Sequence, residues 1–194
     1  MLLVVVFTVL FATYIALATV IDPLLEPFGF QPGVIASLGG FFIVAGVIST
    51  LAMGIILDRT KKYLLTLRII TVCSFFGTIV AYYLLPLENT LLAYFIITIF
   101  GFCLVPILAI GFAFATELTH PIPPVLSNGI MLCFSNVGAW MLSFLLLYVL
   151  KSTPGDPKQG SERAILIIAF FCLIAVIATI FIVEELKRLN ATKQ

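Results

Sequence analysis

The sequence predicts an all-α membrane protein with six transmembrane helices. Of its 194 residues, 62% are hydrophobic and 10% are charged, and the mean hydropathy is +1.26. A soluble domain carries roughly 25% charged residues, so this chain has too little charge to cover a water-exposed surface. Six stretches reach the length of about 20 apolar residues that a membrane-crossing helix needs. They lie at approximately 1–21, 34–57, 64–85, 91–115, 125–149 and 163–183.

Each stretch is apolar on all sides, whereas a strand of a membrane barrel alternates apolar and polar residues. The first and fifth connections, residues 22–33 and 151–161, are rich in proline and glycine, which do not continue a helix. Pro106 lies within the fourth stretch and is expected to kink that helix. Short connections predict a single transmembrane domain over residues 1–186, followed by a short cytoplasmic tail over 187–194.

Lysine and arginine are concentrated after the second and sixth stretches. The positive-inside rule assigns such segments to the cytoplasm. Both termini are therefore predicted to be cytoplasmic, in the plasma membrane or in an organelle membrane. The basic residues on the predicted cytoplasmic side are Arg59, Lys61, Lys62, Arg68, Lys187, Arg188 and Lys193, against Lys151, Lys158 and Arg163 on the opposite side.

Composition and spacing disfavour several classes of function. A net charge of +1 gives no basic surface for nucleic acid. The sequence contains no nucleotide-binding loop and no nucleophile constellation, so neither enzyme activity nor a cofactor is expected. No ionisable residue lies near the centre of a stretch, which disfavours an ion relay and favours facilitative transport. The cysteines stand singly, unlike metal ligands or a disulfide framework, at Cys73, Cys103, Cys133 and Cys172.

Three side chains within the stretches are candidates to line a substrate cavity. Tyr14 lies mid-helix, too deep for an interfacial aromatic belt, and its ring can hold a quaternary ammonium by cation–π attraction. Ordinary packing with a hydroxyl hydrogen bond is the alternative. Asn136 is predicted to be a buried amide that bonds either a neighbouring helix or substrate. Trp140, one turn later on the same face, forms either a cavity wall or a lipid contact.

The turn from Gly54 to Lys62 joins a glycine to a run of charged residues. Asp58 lies at the partly negative end of a helix, where a carboxylate needs a cationic partner. A partner present in only one conformation would make Asp58, with Arg59 and Lys62, a conformational latch. Gly54 would let another helix approach closely. A solvated turn is the alternative.

The pattern Gly-x-x-x-Asp-Arg at residues 54–59 resembles the loop signature of major facilitator superfamily transporters. That signature joins the second and third helices of each six-helix half, as the turn does here. The superfamily often has a glycine two residues after the arginine, where this chain has Lys61. The resemblance implies that the chain forms one half of such a transporter.

Three segments, the first of them this same turn, narrow the resemblance to the feline leukemia virus subgroup C receptor (FLVCR) family. Residues 54–61, Gly-Ile-Ile-Leu-Asp-Arg-Thr-Lys, resemble that family's Gly-x-x-Leu-Asp-x-Thr-Lys turn. Residues 111–121, Gly-Phe-Ala-Phe-Ala-Thr-Glu-Leu-Thr-His-Pro, resemble its Gly-Phe-Glu-Phe-Ala-x-Glu-x-Thr-Tyr-Pro stretch, and residues 127–130 resemble its Ser-Ser-Gly-Leu. The order of these segments implies helices seven to twelve, the C-terminal half.

The FLVCR family is associated with choline and ethanolamine uptake and with haem export. The resemblance places Tyr14 at a substrate-facing aromatic position and Asn136 at a glutamine position, where asparagine keeps the amide but shortens its reach. Glu117 is the candidate for the cytoplasmic gate. Nearby, Ala113 replaces a glutamate of the family and His120 replaces a tyrosine.

Two hypotheses of different classes follow. In the first, the chain moves a small organic solute by alternating access, and an N-terminal transporter half or a second copy supplies the other wall of the cavity. In the second, it is a non-transporting membrane subunit or scaffold, or a truncated product, derived from a transporter half. The first helix starts at Met1 with no preceding charge, so the chain is equally compatible with beginning inside a longer ancestral protein.

Overall fold

The computed structural model describes residues 2–152 and 156–182, and these ranges contain seven α-helices and two short 3-10 turns. They form six spans long and apolar enough to cross a membrane, because α4 and α5 follow each other within one span. The predicted all-α membrane fold is therefore confirmed. The helices are α1 (Leu2–Leu25), α2 (Pro32–Thr60), α3 (Tyr63–Leu84), α4 (Thr90–Leu104), α5 (Ile107–Thr119), α6 (Pro124–Lys151) and α7 (Pro157–Ile180); the 3-10 turns are Glu26–Phe28 and Leu85–Leu87.

Local sequence explains where the spans start. Proline occupies the first helical position of α2, α6 and α7, where its missing N–H costs nothing. The last span starts at Pro157 rather than near residue 163, because the Asp156 side chain accepts a hydrogen bond from the Lys158 backbone N–H and caps the helix. The expected tail over 187–194 and the end of the predicted domain at 186 lie outside the described residues.

The fourth span is broken where the sequence predicts a kink. α4 ends at Leu104, and Pro106 caps the start of α5 with φ near −63°. Proline removes one backbone donor and its ring crowds the preceding turn, so the helix cannot run through unbroken. The two helical segments therefore form one membrane span, Thr90–Thr119, with an internal break.

Two glycines let α2 and α4–α5 pack closely. A Cβ built on Gly101 would lie 2.1 Å from the Phe42 carbonyl oxygen, and one built on Gly46 would lie 2.3 Å from a methyl of Val105. The Ser49 hydroxyl adds a hydrogen bond of 2.5 Å to the Phe102 carbonyl oxygen. Small residues of this kind allow helix backbones to approach in a bilayer, where no hydrophobic force drives association.

α1 lies at the centre of the bundle and packs most extensively against α6 and then α7. Phe7 of α1 is fully buried and packs against Gly111 of α5, where an added Cβ would lie 2.1 Å from the Phe7 ring. Thr8 and Ser135 share a hydrogen bond of 3.1 Å across the α1–α6 interface. These contacts hold the helix that carries Tyr14 against the helix that carries Asn136.

α3 and α7 run antiparallel and are joined by a cation at each end. At one end the Arg68 guanidinium donates to three backbone oxygens at the end of α7, those of Thr179 (3.2 Å), Ile180 (3.4 Å) and Ile182 (3.4 Å). At the other end the Lys158 ammonium pairs with the Glu88 carboxylate, with both side chains about half exposed. The final carbonyls of a helix lack internal partners, so Arg68 both caps α7 and opposes the negative end of its dipole.

Replacing Arg68 with glutamine is expected to fray the end of α7. The variant loses charge-assisted hydrogen bonds, with a cost of about 1–2 kcal/mol because Arg68 is only partly buried. Hydrogen exchange should therefore accelerate at the amides of residues 179–182. Arg163→Gln, at an exposed position on the same helix, provides the matched control. Equal exchange at residues 179–182 in both variants would show that Arg68 does not cap the helix.

Candidate substrate wall, latch and gate

Tyr14 belongs to an aromatic cluster that links α1, α2 and α5. Its ring stacks on Phe42 with centroids 5.9 Å apart and planes 13° apart, and it meets Phe11 at 6.2 Å. Phe7 stacks in turn on Phe11 at 5.8 Å and on Phe112 at 5.6 Å. Tyr14 is half-buried, and its hydroxyl has no hydrogen-bond partner within the described ranges. An aromatic ring held by packing, with an open hydroxyl, can contact a bound solute.

Asn136 and Trp140 share the exposed face of α6. The Asn136 amide donates to the Leu132 carbonyl oxygen one turn earlier at 2.8 Å, and the side chain is exposed. The prediction of a buried amide is therefore wrong for the described residues, among which no helix covers that face. Trp140 is 66% exposed and meets Phe144 edge to face, with centroids 4.7 Å apart. The structure records no direct contact between Tyr14 and either residue in the described ranges.

The turn at residues 54–62 is open to its surroundings. Apart from the adjoining backbone of α2, no described atom would lie within 4 Å of a Cβ on Gly54, so the close helix approach there remains a prediction about a second half. The Asp58 side chain is 88% exposed and its nearest cation is Lys61 at 4.0 Å. Arg59 and Lys62 are also exposed. The latch residues thus stand together at the end of α2, without a facing partner in the described chain.

The backbone conformation at Lys61 explains why the superfamily signature often has glycine at this position. Its backbone is left-handed, with φ of 54°, and it ends α2 by donating its N–H to the Leu57 carbonyl oxygen. This is the helix-ending position at which glycine is favoured, because a Cβ clashes there with the backbone. The turn therefore keeps its shape with lysine, at the expense of local strain.

Lys61→Gly is expected to raise the stability of the protein by about 0.5–1 kcal/mol. The gain is the relieved strain of about 1–2 kcal/mol less the greater unfolded-state entropy of glycine. For a chain of this size, that corresponds to roughly 1–4 °C in melting temperature, measured by thermal unfolding in detergent. The neighbouring Lys62→Gly, at a backbone φ of −95°, should not stabilise. A Lys61→Gly variant less stable than the parent would refute the strain argument.

Glu117 lies near the end of α5 and is buried, with only 8% of its surface exposed. Its Oε2 atom has no hydrogen-bond partner within the described ranges, and neither does the buried Oδ1 atom of Asn128 near the start of α6. A buried acceptor without a donor costs free energy, and here two acceptors lie on consecutive helices joined by a short connection. The sequence alone does not single out Asn128, because an asparagine shortly after a proline-rich connection is also typical of an ordinary helix start.

The described residues contain no group of three or more His, Cys, Asp or Glu side chains that could hold a metal ion. The four cysteines are free, with Cys103 and Cys172 buried and the other two exposed. The arrangement therefore combines an aromatic wall, a charged turn and a buried carboxylate.

The bundle has the six-span, all-helical arrangement of half a major facilitator transporter, and the chain is an integral, multi-pass membrane protein. No family model matches the chain. It is 29% identical to the choline/ethanolamine transporter flvcr2a of Danio rerio over 81% of this chain. It is 27% identical to the uncharacterized MFS-type transporter C09D4.1 of Caenorhabditis elegans over 95%, and 29% identical to the choline/ethanolamine transporter FLVCR1 of Mus musculus over 79%.

The chain thus resembles a six-helix half of a major facilitator transporter of the FLVCR type, as the motifs predicted. The matches cover 32%, 32% and 26% of the three relatives, so the chain spans about a third of their length.

Proposed function

We propose that this chain forms one half, in C-terminal position, of a facilitative transporter that moves choline or ethanolamine by alternating access. The similarity to named choline/ethanolamine transporters over about four fifths of the chain carries the proposal. Tyr14 supplies an aromatic face for the cation, and Asn136 and Trp140 supply the polar and aromatic surface of α6. The scheme contains no catalytic step.

The other wall of the cavity belongs to a second six-helix half. Three features of the described chain support this part of the proposal. Gly54 has open space where a Cβ would be, Asp58 is 88% exposed at the end of α2, and Glu117 has an unpaired buried oxygen. A second half that carries hydrogen-bond donors and packs a helix closely against this chain would satisfy all three at once. The loss of these contacts would accompany opening of the cavity.

Uptake of labelled choline and ethanolamine tests the proposal. Cells would express the chain alone, and the chain together with the N-terminal six-helix half of flvcr2a, the Danio rerio relative. We expect saturable uptake from the combination and none from the chain alone. Uptake by a homodimer of the chain would place a second copy in the role of the other half. Absence of uptake in both, with both halves present in the membrane and associated, would favour a scaffold.

Glu117→Gln is expected to reduce uptake by the two-half protein at least tenfold. If a cation of the second half pairs with the buried carboxylate, removing the charge leaves that cation unpaired, which costs several kcal/mol for a buried pair. Glu26→Gln, an exposed carboxylate at the opposite end of the bundle, is the control and should retain uptake. Normal uptake by the Glu117→Gln protein would exclude a charge-dependent gate at this position.

A further inference from the structure

The break between α4 and α5 leaves one carbonyl oxygen without its usual donor. In an unbroken helix the N–H of residue 106 would donate to the carbonyl oxygen of Phe102, four residues earlier. Val105 and Pro106 keep right-handed helical φ values of −64° and −63°, so the Phe102 carbonyl is still directed towards residue 106. Proline has no N–H to donate there. A carbonyl without a donor inside a membrane protein costs free energy, so a substitute donor is stabilising.

Ser49 of α2 supplies that donor. Its side chain is fully buried, and its hydroxyl donates to the Phe102 carbonyl oxygen at 2.5 Å. The next residue, Thr50, shows the ordinary alternative, because its hydroxyl donates to the Gly46 carbonyl oxygen of its own helix at 2.8 Å. Ser49 instead reaches across to α4, to the carbonyl whose donor Pro106 removes.

The fourth span changes its packing partners at the break. α4 packs mainly against α2, whereas α5 packs to similar extents against α3, α6 and α1. Phe114 of α5 stacks on Tyr63 of α3, with ring centroids 6.0 Å apart and planes 2° apart. Glu117 follows less than one turn later and is buried. The bend at the break therefore sets the direction in which α5 carries Glu117.

The length of α5 amplifies a small change in that bend. Ile107 and Glu117 are ten residues apart, which is about 15 Å along a helix axis. A change of about 10° in the bend would therefore move Glu117 by about 3 Å, the length of a hydrogen bond. A shift of that size makes or breaks a contact between a carboxylate and a donor on another helix.

We propose that Ser49 is a positioning residue for the gate at Glu117. Its hydroxyl replaces the N–H that Pro106 lacks, and the resulting bond to Phe102 fixes the bend between α4 and α5. The inference rests on the proposed function only in treating Glu117 as a gate. The bond itself, and its effect on the burial of Glu117, can be measured on the chain alone.

Hydrogen exchange and carboxyl labelling of the full chain in detergent test the proposal. Ser49→Ala should accelerate exchange about 5- to 50-fold at Val105 and Ile110, whose backbone hydrogen bonds flank the break, as expected for the loss of a buried hydrogen bond. Carbodiimide-driven labelling of Glu117 should also become several-fold faster. Thr50→Ala removes a hydroxyl one position away, so it is the matched control and should change neither rate.

Pro106→Ala provides the rescue, because alanine restores the N–H that the Ser49 hydroxyl replaces. In the Ser49→Ala/Pro106→Ala double variant, exchange across the break should return to near the parental rate. If Ser49→Ala accelerates exchange equally with proline and with alanine at position 106, Ser49 acts through packing alone and the proposal is overturned. Labelling of Glu117 at the parental rate, in a Ser49→Ala protein whose break exchanges faster, would equally exclude the positioning role.

The same pair of variants covers a failure to fold. If Ser49→Ala does not fold, recovery of a folded protein in the double variant would support the bond between Ser49 and Phe102. Failure of both variants to fold would count against it, because the restored N–H should satisfy the carbonyl.

Uptake by the two-half protein separates positioning from binding. Ser49→Ala should lower the maximal rate of choline uptake about threefold or more and leave the half-saturating concentration unchanged within about twofold. The reverse pattern would place Ser49 in the cation site and overturn the proposal. Absence of uptake by the parent combination would count against the proposed function, whereas exchange and labelling on the chain alone would still decide the role of Ser49.

Discussion

Gly101→Ala is expected to destabilise the protein more than a methyl added at any other glycine of α2 to α6. The new Cβ would lie 2.1 Å from the Phe42 carbonyl oxygen, 2.8 Å from its carbonyl carbon and 3.0 Å from its Cα. All three are backbone atoms, so no rotamer change can relieve the clash and α2 must move away from α4. Such overpacking costs typically 1–3 kcal/mol, and here the cost should be at the upper end or beyond.

The measurement is thermal unfolding in detergent, followed by the loss of the monodisperse peak in size-exclusion chromatography. Gly40→Ala on α2 is the matched control, because no described atom beyond the adjoining backbone of α2 would lie within 4 Å of a Cβ there. Alanine is the better helix former, so that variant should be unchanged or slightly more stable. A melting temperature for Gly101→Ala equal to that of Gly40→Ala would mean that the α2–α4 contact is looser than described.

Tyr14→Ala is expected to lower the apparent affinity for choline about 2- to 30-fold in the complete two-half protein. A cation–π contact contributes about 0.5–2 kcal/mol, most when it is shielded from water. The alanine variant also loses the stacking of Tyr14 on Phe42. Tyr14→Phe keeps the ring and should retain most of the affinity. The measurement is concentration-dependent uptake of labelled choline.

Tyr83→Ala is the control for Tyr14→Ala, because Tyr83 is 69% exposed on α3. It should transport like the parent protein. Unchanged affinity in Tyr14→Ala would exclude the ring as a cation site. If Tyr14→Phe is as impaired as Tyr14→Ala, the open hydroxyl, and not the ring, is the contact that matters. Equal membrane levels of all variants must be verified, so that a loss of uptake is not a loss of protein.

The number and type of the spans could be predicted because both depend on local composition. A bilayer leaves no alternative to a hydrogen-bonded helix for twenty apolar residues in a row. Pro106 likewise predicts the break between α4 and α5, since the missing N–H is a property of the residue itself. The strain at Lys61 is a related case. The sequence showed the departure from the superfamily's glycine, but only the φ of 54° showed that the turn keeps the left-handed conformation.

Side-chain partners could not be predicted in the same way. Asn136 was expected to be buried, yet it is exposed and bonds its own helix. The prediction failed because the sequence of a uniformly apolar helix does not reveal which face meets a neighbour. Arg68 looked like one more basic residue of a cytoplasmic turn, but it caps α7, more than a hundred residues away in sequence. Neither contact leaves a periodic signal.

By itself, the sequence determined that this protein is a six-span helical membrane protein with a charged turn of major facilitator type, since hydropathy and turn chemistry act over a few residues. Only the tertiary structure decided which glycines carry helix contacts, as Gly101 does and Gly54 does not within this chain. It also decided which buried polar atoms lack a hydrogen-bond partner in the described ranges, such as those of Glu117 and Asn128. The physical reason is that packing and hydrogen bonding depend on helices brought together from distant parts of the chain. Uniformly apolar helices specify that assembly only through a few small and polar residues.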